Sequence, residues 1–170
     1  IVTHNNAAGG NDSDSGLHLA IEPSTGKIVV AGTSVDSSAY DKMTLWKYNT
    51  NGTIDTSFGV SGVAISNNAA GGTGDENARC VAFDSSGRIV VVGASTNGTG
   101  NFDMTLWRYN SNGTLDTSFG VGGIVTCDAA AGGVNDMGMG VAFDSSGKIV
   151  VCGACTNADG NDDMVLWRYK

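Results

Sequence analysis

The run Leu45-Trp46-Lys47-Tyr48 returns as Leu106-Trp107-Arg108-Tyr109 and again as Leu166-Trp167-Arg168-Tyr169. The tryptophans stand 61 and then 60 residues apart. A fixed period of this length means one supersecondary unit used three times, each burying its apolar face against its neighbours. The copies divide one repeat domain, 1–170, into units 1–62, 63–123 and 124–170.

Each unit reads as four strands. A short alternating run opens it: Ile1-Val2-Thr3-His4, Val63-Ala64-Ile65-Ser66 or Ile124-Val125-Thr126-Cys127. A polar, Gly-rich loop containing Ala-Gly-Gly follows, then a second apolar run, such as Val81-Ala82-Phe83. The third run, Ile89-Val90-Val91-Val92-Gly93, follows a Ser/Gly turn and has no alternation, so it should be covered on both faces. The fourth run alternates, placing Met104, Leu106 and Arg108 on one face and Thr105, Trp107 and Tyr109 on the other. These are β-branched and aromatic runs of strand length bounded by turn residues, and no sustained 3.6-residue period appears. The expected class is all-β: three four-stranded antiparallel blades of the propeller type. A β-trefoil or another pseudo-threefold β fold is the alternative.

The polypeptide is 15% charged and carries 26 Gly, one Pro and a net charge of −8. No Lys/Arg cluster could neutralise nucleic-acid phosphates or dock on an anionic membrane. The acidity suits calcium, a cationic partner or simple solvation. No apolar run approaches the roughly 20 residues that span a bilayer, so no membrane insertion is expected. Low charge and an Asn/Thr/Gly-rich surface suit an extracellular or cell-surface protein. With no initiator Met and no signal peptide at Ile1, a mature or processed chain is expected.

The link after the fourth run, Asn112-Gly113-Thr114-Leu115-Asp116-Thr117-Ser118-Phe119-Gly120, also occurs at 51–59. It is expected to lead from an outer strand to the inner strand of the next blade. Together with 81–93 and 103–110, this stretch closely resembles the bacterial delta-60 repeat, and the resemblance covers essentially the whole chain. It implies β-propellers in large secreted or surface proteins and implies no enzymatic activity. Two departures stand out. The repeat usually has a small residue where Trp46, Trp107 and Trp167 stand, and its proteins carry many more copies.

Three blades do not close a ring, since propellers use roughly 4–8. An arc of three would leave an apolar sheet face at each end, and such faces predict association. Two copies could close a six-bladed ring, or copies could add head to tail as a filament. The expected function is therefore a non-catalytic extracellular structural protein whose partner is itself. A carbohydrate-binding propeller module, with a glycan as partner, is the alternative. A secreted hydrolase ranks below both: His4 and His18 lie in no nucleophile motif, and no carboxylate pair stands out.

Residues common to all copies should build the blade, and residues unique to one copy are candidates for function. On that filter Asp55 and Asp116 pair with strand cations such as Lys47 and Arg108, while His4, His18, Glu22, Glu76 and Arg79 are unique. Trp46, Trp107 and Trp167 are expected to pack between sheets, with a stacking platform for a sugar or base as the alternative. No cofactor is implied except calcium, for which Asp159, Asn161, Asp162 and Asp163 offer oxygen ligands at short spacing, as 11–14 do. Asn and Asp also form ordinary turns. Cys80, Cys127, Cys152 and Cys155 break the repeat and are candidates for buried thiols or disulfides; four cysteines allow three pairings. Asn11, Asn51, Asn97 and Asn112 open Asn-X-Ser/Thr triplets that mark exposed loops.

Overall fold

The computed structural model describes residues 1–170 and contains only strands and turns. The first sheet holds β1 (Gly9–Ile21), β2 (Ile28–Asp36), β3 (Asp41–Tyr48) and β4 (Val63–Ile65) in that spatial order. The second repeats it with β5 (Gly71–Phe83), β6 (Ile89–Asn97), β7 (Phe102–Tyr109) and β8 (Ile124–Cys127). The third contains β9 (Gly132–Phe143), β10 (Ile149–Asn157) and β11 (Asp162–Tyr169). All pairings between these strands are antiparallel. Each sheet is a separate blade. A trefoil would instead merge hairpins from all three copies into one barrel.

The long strands β1, β5 and β9 neighbour one another from blade to blade and form the inner edge, which leaves β4 and β8 outermost. Each long strand carries a bulge, at Gly16/His18, Ala78/Cys80 and Gly138/Gly140. The facing glycine explains the fixed position. A β-carbon at Gly93 would lie 1.7 Å from the Asn77 carbonyl oxygen, and one at Gly32 1.8 Å from that of Ser15. Only glycine lets the bulged backbone approach so closely.

Two apolar cores fill the seams. Trp107, Tyr109, Val91 and Ile89 of the second blade meet Leu45, Met43, Ala31 and Val29 of the first. On the other side, Leu106, Met104, Val92 and Val90 meet Trp167, Val151 and Ile149 of the third. The alternation read from the sequence therefore sends Trp107 and Leu106 into opposite seams. Phe58 and Phe119, from the recurring link, plug one seam each and are nearly wholly buried. Burying one such ring stabilises by about 1.5–3 kcal/mol.

Three expectations change. First, the link after β3 does not lead to the inner strand of the next blade. It folds back on its own strand, with the Asp55 amide donating to the Lys47 carbonyl at 2.8 Å, and ends in β4 on the same sheet. Residues 66–70 then cross to β5. The short runs Val63–Ile65 and Ile124–Cys127 thus complete the preceding blade. Second, the third sheet has three strands rather than four, and Ile1–His4 joins no sheet. Third, much of the Gly-rich stretch expected as loop is strand, because β1, β5 and β9 run 12–13 residues. Backbone atoms supply that pairing, so small and polar side chains do not prevent it.

Candidate functional site

The residues that fill the two internal seams reappear uncovered at the two ends of the arc. Met104 and Leu106 on β7 are fully buried, as are Met43 and Leu45 on β3. Their counterparts on β11, Met164 and Leu166, are 79% and 65% exposed, and Cys152 beside them on β10 is exposed. At the other end, Leu19 is 56% exposed, whereas its counterpart Val81 on β5 is 2% exposed. Ile21 is likewise exposed. By repeat position, one face corresponds to the side of a blade that receives the following blade and the other to the side that packs on the preceding blade.

Each seam also carries a polar cluster. At the first, the Trp107 indole N–H donates to Ser66 Oγ at 2.8 Å. Glu76 accepts from Ser95 Oγ at 3.0 Å and from the Ala69 amide, and the Ala70 amide donates to Ser95 Oγ at 3.1 Å. The carboxylate on β5 thereby fixes the crossing loop from the first blade. At the second seam the same places are held by Trp167, Cys127, Asp136 and Cys155; the Ala130 amide donates to Asp136 at 3.3 Å. Burial, with Asp136 alongside, pushes the Cys155 thiol up to about 12. Burial also raises Cys127, partly offset by the Trp167 indole. Tyr109 is raised by burial and by the nearby Glu76 charge.

On the open face of the first blade the same cluster is Trp46, His4, Asp14 and Ser34. The His4 ring meets Trp46 edge-on at 6.3 Å, and the Ala8 amide donates to Ser34 Oγ at 2.8 Å. Here the Trp46 indole N–H and both Asp14 carboxylate oxygens are buried without a partner; the closed seams likewise leave Glu76 Oε2, Tyr109 Oη and Asp136 Oδ2 without one. Buried groups of this kind are costly. Beside Asp14 lies a cavity of about 520 Å³, bounded by Val2, Leu19, Ile28, Val30 and Trp46.

The ion pairs follow a different scheme from the expected one. Arg108 does donate to Asp116, at 2.8 Å. Asp55, however, is paired with Lys27 at 2.8 Å, and Lys47 reaches Glu22 at 3.1 Å and the Ser111 carbonyl of the second blade at 3.1 Å. Arg168 pairs with Asp144. The Lys27 ammonium and the Ser57 hydroxyl hold Asp55 down to about 2, and Ser118 with Arg108 holds Asp116 at about 2. Glu22 and Glu76 are not unique to their copies. Superposing Ala20-Ile21 on Ala82-Phe83 and Ala142-Phe143 aligns Glu22 with Asp84 and Asp144, and Glu76 with Asp14 and Asp136. The Glu/Asp exchange concealed both positions.

The four oxygen-bearing residues proposed for calcium lie at the β10–β11 turn. Asn157 Oδ1 accepts from the amides of Asp159 and Asn161 at 3.0 Å each, and its amide nitrogen donates to Asp163 at 3.2 Å. Thr156 donates to Asp162 at 3.3 Å. Asp162 and Asp163 thus accept bonds with their side chains, while Asp159 and Asn161 contribute backbone amides to the turn, and no three His, Cys, Asp or Glu side chains converge into a metal-holding group. The segment 11–14 lies in β1. All four cysteines are free thiols. Cys152 and Cys155 share β10 three residues apart and face opposite sides, so their CxxC spacing cannot act as a pair. His18 accepts a 3.4 Å hydrogen bond from the Val81 amide across the first seam, and Arg79 occupies the bulge of β5.

Separate antiparallel blades, two of four strands and one of three, packed by repeated seams around a shared inner edge, define a β-propeller repeat protein. The chain belongs to the family described as Domain of unknown function (DUF5122) beta-propeller, whose model matches residues 24–58, 85–119 and 145–170. Among solved structures the chain is similar to a fucose lectin from Kordia zhangzhouensis in complex with methyl-fucoside. The identity is 16% and the TM-score 0.48, over 88% of this chain and 90% of that one. No curated protein matches the chain.

Proposed function

We propose that this chain is a non-catalytic structural repeat protein of the cell exterior, working by end-to-end association with copies of itself. One observation carries the reading. Leu19 at one end and Met164 and Leu166 at the other, whose counterparts Val81, Met104 and Leu106 are sealed inside the chain's own seams, lie open to solvent. A second copy offers each end the partner it already has twice within the chain. Contiguous apolar faces of this kind favour association, and a head-to-tail contact closes into a ring or continues as a filament according to its rotation.

Sedimentation velocity tests the reading. Species larger than the 17.2 kDa chain are expected. The variants Leu19→Lys and Leu166→Lys, both at exposed positions, are expected to return it to 17.2 kDa. A wild-type chain that stays at 17.2 kDa at high concentration overturns the proposal. Specific sugar binding by such a monomer on a glycan array would establish the carbohydrate-binding alternative.

A further inference from the structure

We propose that the cleft where the first two blades meet is a binding site for a neutral saccharide, a function separate from end-to-end association. The cleft, of about 690 Å³, lies between Tyr40 on the β2–β3 turn of the first blade and segments 71–75 and 96–100 with Phe102 of the second. Two bonds fix its walls to each other. The Asp41 amide donates to Asp75 Oδ1 at 3.0 Å, and the Lys42 ammonium donates to the Gly74 carbonyl at 3.1 Å. The same ammonium lies 5.3 Å from the centre of the Tyr40 ring and holds that ring at the cleft. Walls fixed before a ligand arrives need no ordering on binding.

The repeat separates what builds a blade from what shapes this cleft. Tyr40, Asn101 and Asn161 hold one backbone position, their amides donating to Asp36, Asn97 and Asn157 at 3.1, 3.1 and 3.0 Å. The first copy alone places a ring there. Phe102 pairs with Thr96 as Asp41 pairs with Val35 and Asp162 with Thr156, so the second copy alone places a ring at that position. The two exceptions stand on different blades and line the same cleft. A third departure keeps it open. Gly98 stands where the sister turns carry Ser37 and Ala158, and a β-carbon there would meet nothing within 4 Å.

The lining selects the ligand class. Tyr40 and Phe102 are the two hydrophobic residues among twelve, too few for an apolar ligand or a proline-rich peptide. Their ring faces carry negative potential and suit the C–H groups on one side of a sugar ring. Tyr40 is 42% exposed, so its ring is accessible. Around the rings stand hydroxyls, glycine backbone and the Asp75 carboxylate, which has its second oxygen left for a sugar hydroxyl. Asp75 and the net charge of −8 disfavour phosphates and acidic sugars. A ligand rich in hydroxyls, uncharged and with one apolar ring face meets all of these conditions.

Binding by the whole chain tests this. The labelled protein is screened on an array of neutral and acidic oligosaccharides, and the strongest hit is titrated in solution by calorimetry, which reads affinity per chain whether or not chains associate. Binding to a set of neutral sugars is expected. Tyr40→Asn and Phe102→Asp, which install the side chains of the sister copies, are each expected to weaken it about tenfold. Gly98→Trp fills the cleft and is expected to abolish binding, while Ala158→Trp, at the matching turn of the third blade, leaves it unchanged. Urea unfolding of each variant confirms that the fold is kept. A wild-type chain that binds no sugar on the array overturns the proposal. So does binding that survives Tyr40→Asn, Phe102→Asp and Gly98→Trp at full strength, which places the sugar elsewhere. Preference for acidic sugars, or capture of a proline-rich peptide in place of any sugar, overturns the ligand class.

Discussion

Trp107 on β7 donates its indole N–H to Ser66 Oγ at 2.8 Å, joining the second blade to the end of the first blade's outermost strand. Both residues are buried. The bond ties the edge of one sheet to the core of the next, so blades bound this way should unfold as a unit. Ser66→Ala leaves the indole N–H without a partner in a dry seam. A loss of about 1–3 kcal/mol is expected, measured by urea unfolding followed through tryptophan fluorescence. Ser66→Cys, the side chain found at the second seam, should recover part of it.

Lys47 is buried, and its ammonium is shared between Glu22 and the Ser111 carbonyl of the second blade. Lys47→Met is expected to cost about 3–5 kcal/mol, because it strands the buried Glu22 charge. Adding Glu22→Gln should restore most of the loss. Chemical denaturation of the two single variants and the double variant gives the coupling directly; strictly additive effects would remove the pairing from the account.

The blade was legible in the sequence because its signal lies in side chains. Alternation placed Trp107 and Leu106 in opposite seams, and the structure does the same. The assignment of strands to sheets was less legible. Val63–Ile65 stands at the head of the second copy, but the fold-back of the link is made by backbone bonds and hands it to the first blade. The seam carboxylates escaped for another reason. Glu76 and Asp136 do the same work with side chains of different length, so an identity filter separates them.

Gly113 has φ +87°, and a β-carbon there would lie 2.6 Å from the Gly59 nitrogen of the first blade's link. Gly113→Ala must therefore both strain the backbone and push the two links apart. A loss of about 2–4 kcal/mol is expected. Gly100→Ala is the control, since Gly100 has nearly the same φ, +88°, and open space around it. It should lose only about 1 kcal/mol. Equal losses in thermal unfolding would show that the inter-blade contact contributes nothing.

Asp55 and Asp116 are held at about 2, below the usual value of 3.8. A carboxyl whose folded value is depressed adds stability that is fully present above its unfolded value and lost as pH falls through the folded one. The contribution should therefore be complete above about pH 4 and fade towards pH 2. Asp41 and Asp103, raised chiefly by burial, oppose this trend. Comparing wild type with Asp55→Asn/Asp116→Asn isolates the depressed pair. The stability difference should be largest above pH 4 and vanish near pH 2, as read by denaturant titration at each pH; a constant difference would rule the linkage out.

The four thiols should differ sharply in reactivity, since the thiolate is the reacting form and needs access. Cys152 is exposed on the open face of the third blade. Cys155 is buried at the second seam, with its thiol raised to about 12, and Cys80 is buried in the same core. Cys127 is half-buried and raised as well. A maleimide or disulfide reagent at pH 8 should modify Cys152 first, with Cys127 well behind and Cys80 and Cys155 reacting only on unfolding. End-to-end association adds a second condition. If a further blade covers the face containing Cys152, its labelling should slow as protein concentration rises, while labelling of the Leu166→Lys variant should not. Peptide mapping after timed quenching reads both effects. A Cys152 rate independent of concentration in a wild-type sample that sediments as an oligomer would place the contact elsewhere on the chain.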